Sequence, residues 1–179
     1  MKTFVLAVTG RDRPGIVAAV TRVLLDHGLN IEDAEMAILR GHFAVMLMLA
    51  APDALDEPVL RADLERVRGS VPLETVALTE VPALDPRAAP ASHSISVYGA
   101  DHPGIVHGVA DALAAARVNV VGLSTRVLGE DEGEPIYVML LEVALPAEVD
   151  EDGLAALLAR VAREQGVDVS VRAVDGDVL

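Results

Sequence analysis

Gly10-Arg11-Asp12-Arg13-Pro14-Gly15-Ile16-Val17 recurs as Gly99-Ala100-Asp101-His102-Pro103-Gly104-Ile105-Val106, an offset of 89 residues from Gly10 to Gly99. The same offset aligns Leu29-Asn30-Ile31 with Val118-Asn119-Val120. Several matches that keep one order along the chain indicate an internal duplication. We therefore expect two copies of one structural unit.

Each copy follows the order β-α-β-β-α-β. In the first copy we predict, from apolar periodicity and from turn and cap residues, a strand at 3–9, a helix opening at Pro14, strands at 31–39 and 42–51, a helix opening at Asp56 and ending at Gly69, and a strand at 73–81. This order closes as a four-stranded antiparallel sheet with two helices on one face, which is the ferredoxin-like α+β fold. We expect domains at 1–81 and 93–175, joined by a linker at 82–92 that is rich in Pro and Ala.

The overall charge limits the partners that the chain is expected to bind. Its 14 basic and 28 acidic residues give a net charge of −14. Such a chain repels nucleic-acid phosphates and anionic membrane surfaces, so we expect no direct binding to either. The lack of cysteine excludes disulfides and thiolate metal sites, and it fits a cytoplasmic location.

The third predicted strand does not alternate between apolar and polar residues. Residues 43–49 are apolar throughout, whereas a sheet with one wet face normally alternates. We therefore expect the open face of the first copy to be covered by the other copy or by a second chain. If the cover is a second chain of the same protein, the two chains form a homodimer.

The repeated loop has the chemistry of an anion site. It leads from a strand into a helix, where backbone N–H groups are free to bind an anion such as the carboxylate of an amino acid. Glycine there allows close approach of a ligand or of a neighbouring backbone, and turn formation alone also accounts for the pattern. Asn30 enters the second strand at the far end of the sheet, so we expect it to meet the loop of another copy.

With these residues in view, the pattern resembles the ACT domain, and two copies with little else resemble the glycine cleavage system transcriptional repressor family. The resemblance implies transcription regulation and a small amino acid such as glycine bound between ACT domains. By the family pattern, the ligand contacts map to Gly10, Arg11, Asp12, Arg13, Pro14, Gly15, Ile16, Asn30 and Ile31, and to Gly99, Ala100, Asp101, His102, Pro103, Gly104, Ile105, Asn119 and Val120.

We predict no catalytic residues, no metal and no cofactor. The sequence contains neither a Gly-x-Ser-x-Gly nucleophile turn nor a glycine-rich phosphate loop with lysine. His102 and His107, with Asp101 as a third ligand, are a weak metal signal. The chain is therefore not expected to be an enzyme.

Three functions remain open at this stage. The first is an amino-acid sensor that controls transcription through a protein partner, because the net charge disfavours DNA binding. The second is an ACT-type regulatory subunit that controls an amino-acid or one-carbon metabolic enzyme in trans. It rests on the resemblance of residues 12–20 to the ACT segment of formyltetrahydrofolate deformylase, whose catalytic half is missing here. The third is a dimerisation module without a ligand.

Overall fold

The computed structural model describes residues 2–82, 90–129 and 135–174. The chain divides into two compact units, Met1–Pro86 and Arg87–Leu179. Two predicted features lie outside the described residues: most of the linker, at 83–89, and residue 175 at the end of the second domain.

Each unit contains four strands and two helices in the predicted order. Unit 1 consists of β1 (Lys2–Arg11), α1 (Ile16–Asp26), β2 (Asn30–Leu39), β3 (His42–Ala51), α2 (Glu57–Ser70) and β4 (Leu73–Val81). Unit 2 consists of β5 (His93–Ala100), α3 (Ile105–Ala115), β6 (Asn119–Leu128), β7 (Ile136–Ala144), α4 (Glu151–Gln165) and β8 (Val167–Ala173). Within the described ranges, every helix falls short of the length and apolar character needed to cross a membrane.

Both sheets are antiparallel and share one strand order. The order is β2-β3-β1-β4 in unit 1 and β6-β7-β5-β8 in unit 2. The second and fourth strands of each unit therefore flank its central pair, and the first and last strands lie side by side. The prediction of two ferredoxin-like α+β units is confirmed.

The first strand of each unit carries the centre of the core. Phe4, Leu6 and Val8 alternate along β1 and are fully buried, and Ile95 and Val97 do the same along β5. Burying each of these side chains contributes roughly 1.5–3 kcal/mol. The period-two pattern in the sequence thus directs one face of each first strand into the core of its unit.

The uniform apolar run of β3 divides between the two faces of its sheet. Phe43 and Leu47 belong to the core cluster of unit 1. Met46, on the opposite face, leaves 54% of its surface exposed. Cover over this face by a second chain stays a prediction.

The start of α2 is capped as the sequence predicts, whereas its end is not where we expected it. The Asp56 side chain accepts a hydrogen bond of 3.2 Å from the Val59 N–H. The prediction that Gly69 ends the helix is wrong. Gly69 keeps a helical conformation, so the helix continues to Ser70. It ends there because the backbone of Val71 is extended.

The β2–β3 turn fixes the position of the site described below. Arg40 and Gly41 have φ of +49° and +81°, as a two-residue type I′ hairpin turn requires. The resulting register places Ile38 opposite Phe43, and Phe43 opposite Gly10 at the end of β1. Side chains of β2 and β3 therefore lie beside the repeated loop.

Candidate functional site

Both repeated loops end in a glycine with left-handed backbone. The φ angle is +96° at Gly15 and +108° at Gly104, and the helix begins at the next residue, the buried Ile16 or Ile105. The left-handed conformation costs other residues roughly 1–2 kcal/mol. The predicted helix starts at the prolines of the two motifs are wrong by two residues, because this glycine interrupts the helical path.

The first turns of α1 and α3 present backbone N–H groups that the helices leave unpaired. No side chain caps either start. The first helical bonds run from the Ala19 N–H to the Gly15 oxygen, at 2.9 Å, and from the Gly108 N–H to the Gly104 oxygen, at 2.8 Å. The amides between these residues therefore have no acceptor within the helix. Their partial positive charge favours an anion.

The first glycine of each motif has a packing role. A Cβ atom at Gly10 would lie 2.4 Å from the backbone oxygen of Pro72, and one at Gly99 would lie 2.7 Å from Cγ1 of Val167. Both neighbours belong to the end of the sheet where the last strand of the unit begins. The sequence allowed close approach either of a ligand or of a neighbouring chain segment at the loop glycines. At Gly10 and Gly99 the structure shows a neighbouring chain segment.

Groove 1 lies between the loop, the start of α1 and strands β2 and β3. Its lining consists of Asp12, Arg13, Pro14, Gly15, Ile16, Val17, Ala18, Met36, Ile38 and Phe43. Met36 and Ile38 are 49% and 50% exposed, whereas Phe43 is buried. The strand side of groove 1 is therefore entirely apolar, and its charged groups lie on the loop.

Groove 2 occupies the equivalent place in unit 2. Its lining consists of Asp101, His102, Pro103, Gly104, Ile105, Val106, His107 and Tyr137. The predicted loop residues thus line a groove in each unit. Gly10, Arg11, Gly99 and Ala100 line neither groove, and Arg11 and Ala100 are exposed strand ends.

His102 is held to the end of α4 by its ring. Its Nε2 atom lies 2.8 Å from the Gln165 backbone oxygen, and its Nδ1 atom lies 3.1 Å from the Pro103 backbone oxygen. Carbonyl oxygens only accept, so both ring nitrogens donate when the imidazole is doubly protonated. The Pro103 and Gln165 carbonyls, with a smaller effect of the Asp101 charge, raise the pKa of His102 above its ordinary value.

The metal hypothesis gains no support from this arrangement. Both ring nitrogens of His102 face backbone oxygens, which leaves neither directed at His107 or Asp101. Across residues 2–82, 90–129 and 135–174, no three His, Asp or Glu side chains form a group suited to a metal ion.

Asn30 and Asn119 lie at the far end of their sheets from the loops, as expected. Asn30 pairs with Ala50 near the end of β3, whereas Phe43 at the opposite end lies in groove 1. Asn119 pairs with Ala144 of β7 in the same way. The structure brings neither asparagine to the loop of its own unit, and their role in ligand binding stays a prediction.

Ile31 and Val120 follow the two asparagines and are each 37% exposed. Asn30 and Ile31 line a separate hollow beside the second half of α1, together with Arg22 and Leu25. The predicted site residues of unit 1 therefore divide into a loop group and a group at the opposite end of α1.

Sequence reasoning missed the strand side of both grooves. Met36, Ile38 and Phe43 in unit 1 and Tyr137 in unit 2 were assigned only to strands. The two-residue hairpin turn contained the signal, because it sets which β2 and β3 residues lie opposite the loop glycine.

Comparison with known proteins assigns the family. A family model described as the ACT domain matches residues 2–76. The UPF0237 protein MK1213 of Methanopyrus kandleri is 33% identical over 81 residues, which cover 45% of this chain and 90% of that protein. The chain belongs to the ACT-domain family. Because unit 2 repeats the strand order of unit 1, the protein is a tandem ACT-type chain.

A longer relative matches nearly the whole ACT-domain chain. Phosphoserine phosphatase SerB2 of Mycobacterium tuberculosis is 29% identical over 167 residues, which cover 93% of this chain and 39% of the phosphatase. The chain therefore spans well under half the length of that relative.

Two solved structures share the tandem ACT-type fold. An unknown protein from Galdieria sulphuraria has a TM-score of 0.80 with 28% identity, over 97% of this chain and 99% of that one. A putative glycine cleavage system transcriptional repressor has a TM-score of 0.72 with 16% identity, over 98% of each chain. The second likeness shows the fold alone.

Proposed function

We propose that this ACT-type protein senses a small amino acid such as glycine and regulates another protein, without catalysis of its own. The observation that carries this proposal is the uncapped helix start behind a left-handed glycine, which is present in both units. An amino-acid carboxylate matches the free amides there in charge and in hydrogen bonding. The loops 10–16 and 99–105 are the proposed contact segments.

The charge beside the amides suits a zwitterion. Asp12 and Asp101 occupy equivalent positions in the two loops, and each lines its groove. When the carboxylate of the amino acid binds the amides at the helix start, its ammonium group lies close by. This group is attracted by the aspartate of the same loop, Asp12 in unit 1 or Asp101 in unit 2. Asn30 and Asn119 are proposed to complete the site from another ACT copy, since neither reaches the loop of its own unit.

Two forms of regulation are compatible with the proposal. In the first, the protein controls transcription in the manner of a glycine cleavage repressor, through a protein partner because its net charge is −14. In the second, it controls an amino-acid or one-carbon metabolic enzyme in trans. The sequence similarity to a phosphoserine phosphatase over 93% of the chain favours the second form.

A ligand-free dimerisation module is the remaining alternative. A homodimer is compatible with the half-exposed Met46 on the open sheet face, and it is proposed here together with ligand binding. The absence of cysteine supports a cytoplasmic location.

A ligand screen tests the proposal directly. The full chain is heated in the presence of each of the twenty common amino acids, and hits are titrated by calorimetry. We expect at least one small amino acid to raise the melting temperature, because a ligand selective for the folded state stabilises it. No response from the folded protein across the set would leave the dimerisation module as the better account.

The two forms of regulation are separated by their partners. A gel-shift assay at moderate salt is expected to show no specific DNA complex with the pure protein. Tight specific binding would contradict the indirect mechanism. Affinity capture is carried out with this chain as bait in the presence of the amino acid. It is expected to retain a DNA-binding protein if the chain controls transcription, and a metabolic enzyme if it controls an enzyme in trans.

A further inference from the structure

Tyr137 occupies in unit 2 the place that Phe43 occupies in unit 1. Tyr137 lies opposite Gly99 at the end of β5, and Phe43 lies opposite Gly10 at the end of β1. Both side chains are buried, at 8% and 3% exposure, and both line the groove of their unit. The two positions differ by one hydroxyl group.

That hydroxyl group has no hydrogen-bond partner among the described residues and is screened from solvent. A buried hydroxyl without a partner lowers the stability of the folded state. Since unit 1 folds the same way with phenylalanine, the fold itself does not need the hydroxyl. An unpaired donor on a side chain that lines a groove points to a ligand that supplies the acceptor.

Two further positions near the loop of unit 2 carry polar residues where unit 1 carries apolar ones. Thr125 of β6 and Met36 of β2 occupy equivalent positions. Each lies opposite the residue that follows Tyr137 or Phe43 by two positions in the neighbouring strand. His107, the third residue of α3, replaces the third residue of α1, Ala18. Groove 1 is thus lined by the apolar Met36 and Ala18, whereas unit 2 has Thr125 and His107 at these positions, and His107 lines groove 2.

The phenol is suited to act as a hydrogen-bond donor. Burial raises the pKa of Tyr137 above its ordinary value, and the nearby Thr125 side chain offsets part of that rise, although its hydroxyl is not placed for a well-formed hydrogen bond to the phenol. Tyr137 is therefore protonated at neutral pH. Access of a ligand to the phenol requires a neighbouring side chain to move, and Thr125 is exposed, where rotamer changes take place within nanoseconds.

We propose that the two grooves select different amino acids, with Tyr137 as the specificity-determining residue of unit 2. Groove 2 binds an amino acid whose side chain carries a hydroxyl group, and groove 1 binds one with an aliphatic side chain. In groove 2 the carboxylate accepts from the amides at the start of α3, and the ligand hydroxyl accepts from Tyr137. This inference rests on the proposed function and adds ligand class and site to it.

L-threonine and L-valine are suitable probes because they have nearly the same shape and differ in one hydroxyl. Each is titrated by calorimetry into the full chain, and NMR shifts of the Gly15 and Gly104 amides report which groove is occupied. We expect threonine to shift Gly104 and valine to shift Gly15. Tyr137→Phe is expected to weaken threonine binding about five- to tenfold, as for one lost hydrogen bond, and to leave valine binding unchanged.

Phe43→Tyr in unit 1 is the matched control and is expected to leave threonine binding at Gly104 unchanged. Tyr137→Phe is expected to melt at or above the wild-type temperature, because it removes an unpaired hydroxyl. A lower melting temperature would show that the hydroxyl has a structural partner, which overturns the inference.

The outcomes separate this inference from the proposed function. If the wild-type protein binds both probes and Tyr137→Phe changes neither affinity, the specificity role is wrong and the sensing function stands. If no amino acid of the full set binds, the sensing function fails and the specificity role fails with it.

Discussion

The Nε2 atom of His27 lies 2.8 Å from Oδ2 of Asp63, and this contact joins the end of α1 to the middle of α2. Only 14% of the His27 side chain and 22% of the Asp63 side chain are exposed. A polar contact shielded to this extent contributes more to stability than an exposed ion pair does. It fixes the spacing of the two helices of unit 1 on their sheet.

Removal of this carboxylate is expected to destabilise unit 1. Asp63→Ala leaves the His27 ring without its partner in a largely buried place, so we expect a loss of about 1–3 kcal/mol in the free energy of unfolding. Urea denaturation followed by circular dichroism measures it. Glu65→Ala is the control, since the ion pair of Glu65 with Arg68 is about half exposed and contributes about 0–1 kcal/mol. Equal losses in the two variants would contradict the role of the buried contact.

The His102 contact predicts a pH-dependent stability of unit 2. The pKa of His102 is raised in the folded state from its ordinary value of 6.5, by hydrogen bonds to the Pro103 and Gln165 carbonyls. A raised pKa means that the protonated form is the one stabilised. The contribution is therefore complete below about pH 6.5 and is lost as pH rises through the folded-state pKa.

This dependence is measured as the difference between wild type and His102→Gln in denaturation midpoint, from pH 5 to pH 9. We expect the wild type to be the more stable protein at low pH and the difference to shrink as pH rises. Arg13→Gln serves as control, since Arg13 is the equivalent residue of unit 1. A difference that grows with pH would show that the neutral ring makes the contact.

Two glycine substitutions are expected to have opposite effects. Gly10→Ala places a Cβ atom 2.4 Å from the Pro72 backbone oxygen, which cannot move away as a flexible side chain does, so we expect a loss of about 1–3 kcal/mol. Gly69→Ala meets nothing within 4 Å inside α2 and is expected to gain roughly 0.5–1 kcal/mol. Thermal unfolding of both variants checks the pair. Destabilisation by both would show that the close approach at Gly10 is not the cause.

The two asparagines are expected to matter for the ligand and not for the fold. Both are exposed, so Asn30→Ala and Asn119→Ala should leave the melting temperature close to that of wild type. If each completes a site with another ACT copy, its loss should weaken binding of the amino acid found in the screen by about 1–3 kcal/mol. Calorimetric titration measures this, and unchanged affinity in both variants would place the site elsewhere.

Local patterns were sufficient to predict the fold. The alternation of Phe4, Leu6 and Val8, the Asp56 cap and the Arg40-Gly41 turn each depend on a few neighbouring residues, and each appears in the structure as predicted. The start of the first helix in each copy, and the end of the second helix in the first copy, were harder to predict from the sequence. A glycine can sit inside a helix or leave it, and the sequence around Gly15 and Gly69 does not distinguish these conformations.

The candidate site could be predicted only on its loop side. The motif itself identified the loops, because proline and glycine act through the local backbone. The groove walls at Met36, Ile38 and Tyr137 depend on which strand lies next to the loop and in what register, which is a property of the whole sheet. Tertiary neighbours of this kind do not appear in a pattern of adjacent residues.

The contact between Gly10 and the Pro72 backbone also bears on how proteins with this loop signature are recognised in genomes. Packing against that backbone requires a glycine there whether or not anything binds beside it. Searches built on the Gly-x-Asp-x-Pro-Gly signature will therefore collect proteins by architecture. If the proposed role of Tyr137 holds, the residue facing the glycine across the sheet, phenylalanine in one half of this molecule and tyrosine in the other, sorts them better by the ligand they bind.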